Sequence, residues 1–205
     1  MLESLFYLAV LMFSVIIHEV AHGYAALRHG DKTALVAGRL TLNPLKHLEW
    51  FGSVILPLLL LLSGTQFLVG WAKPVPYNPR NFTNEKRGTL AVALAGVVAN
   101  ICLAVLFGIF IRLAVYLGFA TEGFISLASI IVFTNLVLAI FNLVPIPPLD
   151  GSKVLFALLP YQYQHFRETF ERYSIPLLIF FIFFLWKFIT PIIVILFSLF
   201  TGLHI

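Results

Sequence analysis

The sequence predicts an all-α polytopic membrane protein with about four full transmembrane helices, and two observations support this prediction. Of its 205 residues, 60% are hydrophobic and 11% are charged, whereas soluble domains carry about 25% charged residues. Four apolar segments are also long enough to cross the hydrocarbon core of a bilayer, which is about 30 Å thick. These segments are residues 4–28, 88–118, 123–144 and 175–202.

The formal net charge of the chain is +4, which is modest. Basic residues in so apolar a chain indicate membrane orientation and contact with lipid headgroups, and we expect no nucleic-acid partner. The length suits a single integral-membrane domain over residues 1–205, without a sizeable soluble appendage.

The first span contains the sequence HEVAH, residues 18–22, although ionisable side chains are expensive in hydrocarbon. His18 and His22 are four residues apart, so on a helix both rings project from one face and can bind one zinc ion. Glu19 is rotated from His18 and can face a metal-bound water as a general base without being a ligand. The alternative to metal binding is that these three side chains are buried polar groups whose hydrogen bonds are satisfied within the protein.

A fifth apolar piece, residues 51–64, is short for a span and contains Pro57. We expect it to be re-entrant, with a short further span as the alternative. Under the positive-inside rule, residues 29–50, 65–87 and 160–174 face the cytoplasm, and both termini lie outside. The basic residues on either side of the short piece are Arg28, Lys32, Arg39, Lys46, Lys73, Arg80, Lys86 and Arg87.

Two sequences beside the short piece indicate irregular or extended backbone near the site. The alternation in GRLTL, residues 38–42, predicts a short strand, and the Pro-rich sequence GWAKPVPYNPRNF predicts an extended segment. Later in the chain, YQYQHFRETFERY, residues 161–173, is polar and helical in character. We expect it to form an interfacial helix.

The second full span contains Gly96 and Asn100, one helical turn apart. Small residues at this spacing let membrane helices approach closely, so helix packing explains the pair most simply, with Asn100 also placed to hydrogen-bond near the site. Cys102 in the same span is the only cysteine. A single cysteine excludes an internal disulfide and a zinc site built from several cysteines.

A catalytic zinc usually has three protein ligands and a water, so the two histidines need a third residue. Asp150 is the strongest candidate, because it follows a turn containing Pro145 and Pro147 and precedes Gly151, which allows a tight turn. The alternative role for Asp150 is the N-cap of a helix over residues 151–159. The predicted topology favours the ligand, since it puts Asp150 and HEVAH near the same side of the membrane.

The remaining histidines are weaker candidates. His29 lies seven residues beyond His22, which is about 10 Å along a helix axis and too far for the same ion. We expect His29, His47, His165 and His204 to be interfacial or solvated. His47 is the one placed for contact with a zinc ligand or with substrate.

Together these motifs resemble the site-2 protease family of intramembrane zinc metalloproteases. The matching sequences are HEVAH, the Gly96-x-x-x-Asn100 helix and NLVPIPPLDG, residues 142–151, in the family's order. GRLTLNPLKH and GWAKPVPYNPRNF resemble its compact prokaryotic branch, which lacks PDZ and CBS regulatory modules. Val97 departs from the family pattern, in which many members have proline after the glycine.

The resemblance implies one Zn²⁺ per chain, with His18, His22 and Asp150 as its ligands. It also implies that Glu19 is the catalytic base and that Asn142 positions the substrate strand or stabilises the oxyanion. Residues expected to support the site are Gly96, Asn100, Pro145, Pro147 and Gly151.

We therefore expect an endopeptidase that hydrolyses peptide bonds within or near the transmembrane segments of membrane proteins, in regulated intramembrane proteolysis or in clearance of membrane peptides. Regulation would come from a membrane partner or from a preceding cleavage of the substrate. The alternatives are a membrane zinc transporter and a catalytically inactive binding scaffold. A transporter needs ligands on several spans, and the later spans offer few polar residues of note: Asn100, Arg112, Asn135 and Lys187.

Overall fold

The computed structural model describes residues 2–64 and 73–203, which form a bundle of helices. The α-helices are α1 (Leu2–Arg28), α2 (Thr33–Val36), α3 (Leu56–Leu62), α4 (Glu85–Tyr116), α5 (Glu122–Leu143), α6 (Asp150–Leu158), α7 (Gln164–Arg172), α8 (Ser174–Phe180) and α9 (Trp186–Thr201). A π-helical turn, Phe181–Leu185, joins α8 to α9. These three pieces together make one long apolar helix.

Four helices are long and apolar enough to cross a membrane: Glu3–Arg28, Glu85–Tyr116, Glu122–Leu143 and Ser174–Thr201. Each of them matches one predicted span to within about three residues at either end. The agreement follows because a span must satisfy its own backbone hydrogen bonds in hydrocarbon, which makes an apolar run of this length a helix. The predicted fold class, an all-α polytopic membrane protein, is confirmed.

Helix α4 is the centre of the bundle, because it packs against α1, α5, α6 and α9. Small residues on α4 permit this close packing: a Cβ at Gly108 would lie 2.9 Å from the carbonyl oxygen of Phe200 in α9. Such close approach stabilises helix association where lipid removes the hydrophobic driving force. Buried side chains that join α4, α5 and α9 are Ala104, Ile111, Ala128, Val132, Leu136, Ile193 and Phe197.

The short apolar piece forms a π-helical turn, Trp50–Ile55, followed by α3. The carboxylate of Glu49 caps this turn by accepting hydrogen bonds from the N–H groups of Phe51 and Gly52. A seven-residue helix rises about 10 Å, which is too short to cross the bilayer. Its re-entrant insertion stays a prediction.

The strand predicted at residues 38–42 is wrong, and the described ranges 2–64 and 73–203 contain no β-strand. A strand needs a partner ladder, but here side chains and local turns bind the backbone instead. The ring of His47 hydrogen-bonds the Thr41 carbonyl at 2.8 Å, and the Arg39 N–H donates to the Ala34 carbonyl. The Pro-rich residues 73–78 lack regular structure, as expected for prolines that cannot donate to a ladder.

A buried carboxylate, Asp31, joins the end of α1 to the segment that leads into α4. It accepts hydrogen bonds from the N–H and hydroxyl of Thr33, the amide of Asn81 and the N–H of Asn78. Burial alone would raise the pKa of Asp31, but these hydrogen bonds outweigh it and hold the pKa below its ordinary value. The junction therefore fixes how α1 sits against α4, on which the site depends.

A polar helix, α7, occupies the region where an interfacial helix was predicted. Its side chains are largely exposed, and Arg167 pairs with Glu171 one turn later, with 2.9 Å between Nε and Oε1. The position of this helix, between α6 and the last spanning helix, fits the predicted interfacial location.

Candidate metal centre

Three predicted ligands meet at one point inside the bundle. Nε2 of His18 and Nε2 of His22 lie 3.0 Å apart, and each lies 3.0 Å from Oδ2 of Asp150. The three residues are buried, with 6%, 5% and 5% of their surfaces exposed. Helix α1 supplies the histidines from successive turns, and Asp150 is the first residue of α6.

The other nitrogen of each imidazole ring is bound by an oxygen acceptor. Nδ1 of His18 lies 3.0 Å from Oδ1 of Asn100, and Nδ1 of His22 lies 2.6 Å from the carbonyl oxygen of Val92. Because these oxygens accept, Nδ1 of each ring donates, and the lone pair of each Nε2 is left facing the cluster. Helix α4 supplies both acceptors and so determines the tautomer of both rings.

These donors fit one metal ion. Two neutral imidazole nitrogens and a carboxylate oxygen, mutually 3.0 Å apart, can all contact an ion at the usual zinc distances of about 2.0–2.2 Å. Three protein ligands leave a position for water, as catalytic zinc sites require. Among residues 2–64 and 73–203, this is the one group of His, Cys, Asp and Glu side chains close enough to hold a metal.

Two glycines allow the helices to meet at the cluster. A Cβ on Gly96 would lie 2.5 Å from ring atoms of His18, so only glycine lets α4 approach this ring. A Cβ on Gly151 would collide with the carbonyl oxygen of Leu143 at the end of α5. The supporting contacts predicted for Gly96 and Gly151 are therefore close backbone approaches.

The turn between α5 and α6 aims Asp150 inward. Its N–H groups at Ile146 and Leu149 donate to carbonyls within the turn, and the peptide bond between Pro147 and Pro148 is cis. Leu149 occupies the N-cap position of α6 without a capping side chain. Asp150 is therefore not the N-cap, and its carboxylate turns toward the histidines.

Lys153 also contacts the cluster, and sequence reasoning missed it. Its Nζ lies 2.9 Å from Oδ1 of Asp150 and 5.7 Å from the ring centroid of Tyr77. Burial alone would raise the pKa of Asp150, but hydrogen bonds with His18 and His22 and the charge of Lys153 hold it well below its usual range. The spacing of three residues on a helix was the signal available in the sequence.

Glu19 is half-buried beside the cluster, and its Oε2 accepts a hydrogen bond from the N–H of Val75 at 2.8 Å. The amide of Asn142 is turned elsewhere: its Nδ2 donates to the Leu138 carbonyl in the same helix at 2.9 Å. The structure thus does not bring the Asn142 amide to the cluster, and its part in catalysis stays a prediction.

The remaining histidines lie apart from the cluster or outside the described residues. His29 stacks edge-on near Phe82, and His165 is exposed beside Glu168. The expectation that His47 is interfacial or solvated is wrong, because its ring is buried and contacts the Thr41 carbonyl rather than a cluster residue. His204 lies outside the described residues.

A cavity of about 1260 Å³ lies beside the cluster, between the start of α4 and helices α6 and α7. Lys153 lines it, so the cavity reaches a residue in direct contact with Asp150. Other polar residues on its walls are Tyr77, Glu85, Lys86, Ser152, Arg167 and Glu168. The cleft can hold water within reach of Lys153.

Comparison with known proteins gives a family model and named relatives. The model of Peptidase family M50 matches residues 111–185, a range that includes Asp150. The chain is 38% identical over 188 residues to YwhC of Bacillus subtilis (strain 168), a protein named as a zinc metalloprotease; the match covers 89% of this chain and 79% of YwhC. No solved structure gives a significant match.

A more distant relative has the same kind of name. The chain is 33% identical over 144 residues to Rip2 of Mycolicibacterium smegmatis (strain ATCC 700084 / mc(2)155), also named as a zinc metalloprotease. That match covers 70% of this chain and 53% of Rip2, so the chain spans about half the length of this relative.

Proposed function

Because the chain belongs to peptidase family M50, the site-2 protease family of zinc metalloproteases, we propose that it hydrolyses peptide bonds within or near the transmembrane segments of membrane proteins. The observation that carries the proposal is the meeting of three metal-ligand atoms 3.0 Å apart inside a bundle of membrane-spanning helices. Peptide bonds that reach this centre are at membrane depth or close to it.

Zinc is the cofactor of this family, and His18, His22 and Asp150 are the proposed ligands of one ion. Bound by these residues, the ion would supply a Lewis acid that lowers the pKa of a water and polarises a peptide carbonyl. The neighbouring residues support this assignment: Asn100 and the Val92 carbonyl hold the rings, and Lys153 binds the second oxygen of Asp150. Such partners orient ligands and raise metal affinity.

Glu19 is the proposed general base. It follows His18 directly, so it projects from a neighbouring direction on α1 and is placed beside the proposed ligands without replacing one. Its carboxylate accepts the proton of the attacking water and returns it to the leaving amine. Asn142 is proposed to contact the substrate strand or the oxyanion, which requires its amide to leave the Leu138 carbonyl.

The substrate is proposed to be a membrane protein whose helix unwinds locally at the site. Peptide groups inside a transmembrane helix are hydrogen-bonded to one another and shielded from attack. The cavity beside Lys153, whose walls carry charged as well as apolar residues, is proposed to let water reach the opened segment. A regulatory membrane partner would act by presenting or withholding such a segment.

The site is proposed to face the cytoplasm, with both termini outside. The stretch from Arg28 to Arg87 carries eight of the 13 Lys and Arg residues of the chain, and the turn between α4 and α5, residues 117–121, carries none. Single cysteines introduced in a Cys102→Ala background test this proposal. Glu168→Cys in α7 should react with a membrane-impermeant thiol reagent only from the cytoplasmic side.

The decisive experiment for the activity uses purified protein in bilayers with a model transmembrane substrate. Wild type should cleave it, a chelator should stop cleavage, and added zinc should restore it. Glu19→Gln should keep its zinc and lose at least about 100-fold in kcat, the usual contribution of a general base. Full cleavage by Glu19→Gln would refute the proposed mechanism. Zinc uptake into protein-containing vesicles without any cleavage would instead indicate a transporter, and neither activity would indicate a scaffold.

A further inference from the structure

The carboxylate of Glu19 is held by the backbone of a distant segment. Oε2 accepts a hydrogen bond from the N–H of Val75, at 2.8 Å and across 56 positions of sequence. Val75 lies between α3 and α4. A backbone donor from outside α1 therefore restricts which way this side chain can turn.

The donor at Val75 is isolated by prolines on both sides. Pro74 and Pro76 have no N–H, so Val75 is the single donor within residues 74–76. Each proline has a restricted φ and also limits the residue before it to extended conformations. The direction of the Val75 N–H is therefore largely determined by the segment itself, before any contact with Glu19.

Arg39 holds the same peptide group from its other end. Its Nη2 donates to the carbonyl oxygens of Lys73 at 2.8 Å and Pro74 at 3.3 Å, and its Nη1 donates to that of Lys46. The Pro74 carbonyl and the Val75 N–H belong to one peptide unit, so Arg39 and Glu19 bind its two ends. Hydrogen bonds arranged in such a chain polarise and strengthen one another.

The side chain of Val75 is packed directly onto the helix that carries Glu19. It is 4% exposed, and a Cβ on Gly23 would lie 2.9 Å from its Cγ1 and 2.5 Å from Cδ2 of Leu40. Gly23 is one turn beyond Glu19 on α1, so the absence of a side chain lets both segments reach the helix there. The Val75 N–H and the Glu19 carboxylate are thus positioned by packing as well as by the hydrogen bond.

We infer that Arg39 is a positioning residue that acts on Glu19 through the peptide group between Pro74 and Val75. The inference rests on the proposed role of Glu19 as general base. Because the Val75 N–H binds Oε2, Oε1 is the oxygen left to accept the proton of the attacking water. A displacement of about 1 Å in a reacting group can reduce a rate about 100-fold.

The first test replaces the donor: in Val75→Pro the ring Cδ takes the place of the N–H hydrogen, so Oε2 of Glu19 loses its partner and is displaced from this position. Val75→Pro deletes the N–H and keeps an apolar side chain, whereas Val75→Ala keeps the N–H and removes two methyl groups. For cleavage of the model transmembrane substrate, Val75→Pro should lower kcat by about 10- to 100-fold, with KM and bound zinc near wild type. Val75→Ala should lose much less. Equal losses of kcat in the two variants would overturn the inference.

The second test addresses Arg39. Arg39→Met should lower kcat by about 10- to 100-fold without changing KM or zinc content, and Arg39→Lys should restore part of the loss because one ammonium can reach a carbonyl. Adding Arg39→Met to Val75→Pro should cause little further loss, since both act on one contact. The inference would be overturned if Arg39→Met left kcat unchanged or lost its zinc, or if the losses of kcat multiplied in the double variant. Arg39 would then have a structural role only.

The same series separates this inference from the proposed function. If Glu19→Gln is inactive while Val75→Pro matches Val75→Ala, the general base stands and the positioning role fails. If Glu19→Gln cleaves normally, the general-base mechanism itself fails, whatever the Val75 variants do.

Discussion

Nε2 of His18 and Oδ2 of Asp150 lie 3.0 Å apart although 132 positions separate the two residues in the chain. The contact brings the first turn of α6 against the first spanning helix, and α4 lies beside both. The partners that surround this contact give three predictions, and the buried carboxylate of Asp31 gives a fourth. All four can be measured independently of any particular natural substrate.

Asn100 should control metal affinity through His18. Asn100→Ala removes the acceptor of the His18 Nδ1–H, which leaves the ring free to turn. We expect zinc affinity to fall by about 10- to 100-fold, measured by competition with a chelating dye. Asn135→Ala is the matched control, because Asn135 is also buried but hydrogen-bonds Ser14 and the Ile131 carbonyl. Equal effects of the two variants would contradict the prediction.

Lys153 should control metal affinity through Asp150. Lys153→Met removes the cation bound to Oδ1 and leaves the carboxylate free to rotate away from the histidines. Zinc affinity should fall by about 10- to 100-fold, and Lys153→Arg should recover most of it. Lys187→Met, which removes an exposed lysine from α9, should have no effect. A normal affinity in Lys153→Met would show that Asp150 needs no such partner.

Gly96→Ala should disturb the site by steric overlap alone. The new Cβ would lie 2.5 Å from the His18 ring, and overpacking of this kind costs about 1–3 kcal/mol. We expect a lower unfolding temperature together with weaker zinc binding. The control is Gly123→Ala, where a Cβ meets nothing within 4 Å. That variant should be neutral or more stable by up to about 1 kcal/mol, since alanine favours a helix. A stable, zinc-competent Gly96→Ala protein would argue against close approach at this position.

Asp31 should make the stability of the protein depend on acid. Burial opposes ionisation, but the hydrogen bonds from Thr33, Asn81 and Asn78 hold the pKa of Asp31 below its ordinary value. A carboxyl whose pKa is lower in the folded state contributes stability that is present above its unfolded pKa, about 3.9. This contribution is lost as the pH falls through the folded pKa.

Thermal unfolding of wild type and Asp31→Asn between about pH 3 and pH 6 checks this prediction. At the upper end, Asp31→Asn should be less stable by about 1–3 kcal/mol, because a buried donor loses its acceptor. The difference should shrink below about pH 4. A difference that stays constant with pH would mean that the ionised form of Asp31 has no special role.

Much of this molecule could be predicted from local sequence. The four spans follow from apolar runs of 20 residues or more, because the backbone polar groups of such a run in a bilayer must hydrogen-bond within the run, as they do in a helix. The pairing of His18 with His22 follows from helical periodicity, which puts residues four apart on one face. The prediction of a strand at residues 38–42 was wrong because no comparable physical constraint acts on that segment. Alternation is a weak signal over five residues, and the backbone there is bound by His47 and by the turn after α2.

Local patterns in the chain were therefore enough to predict the helical membrane class, the pair of histidines with Glu19 beside them, and Asp150 as the candidate that completes the set. Packing in three dimensions was needed to show that α4 supplies the acceptors for both rings, that Lys153 binds the second oxygen of Asp150, and that the Val75 N–H binds Glu19. It also places Arg39 on the Pro74 carbonyl of the same peptide unit. These contacts join elements that are far apart in the chain or depend on how a side chain turns. No local spacing encodes them, because they exist only once packed helices and a proline-held segment place single atoms within hydrogen-bonding distance.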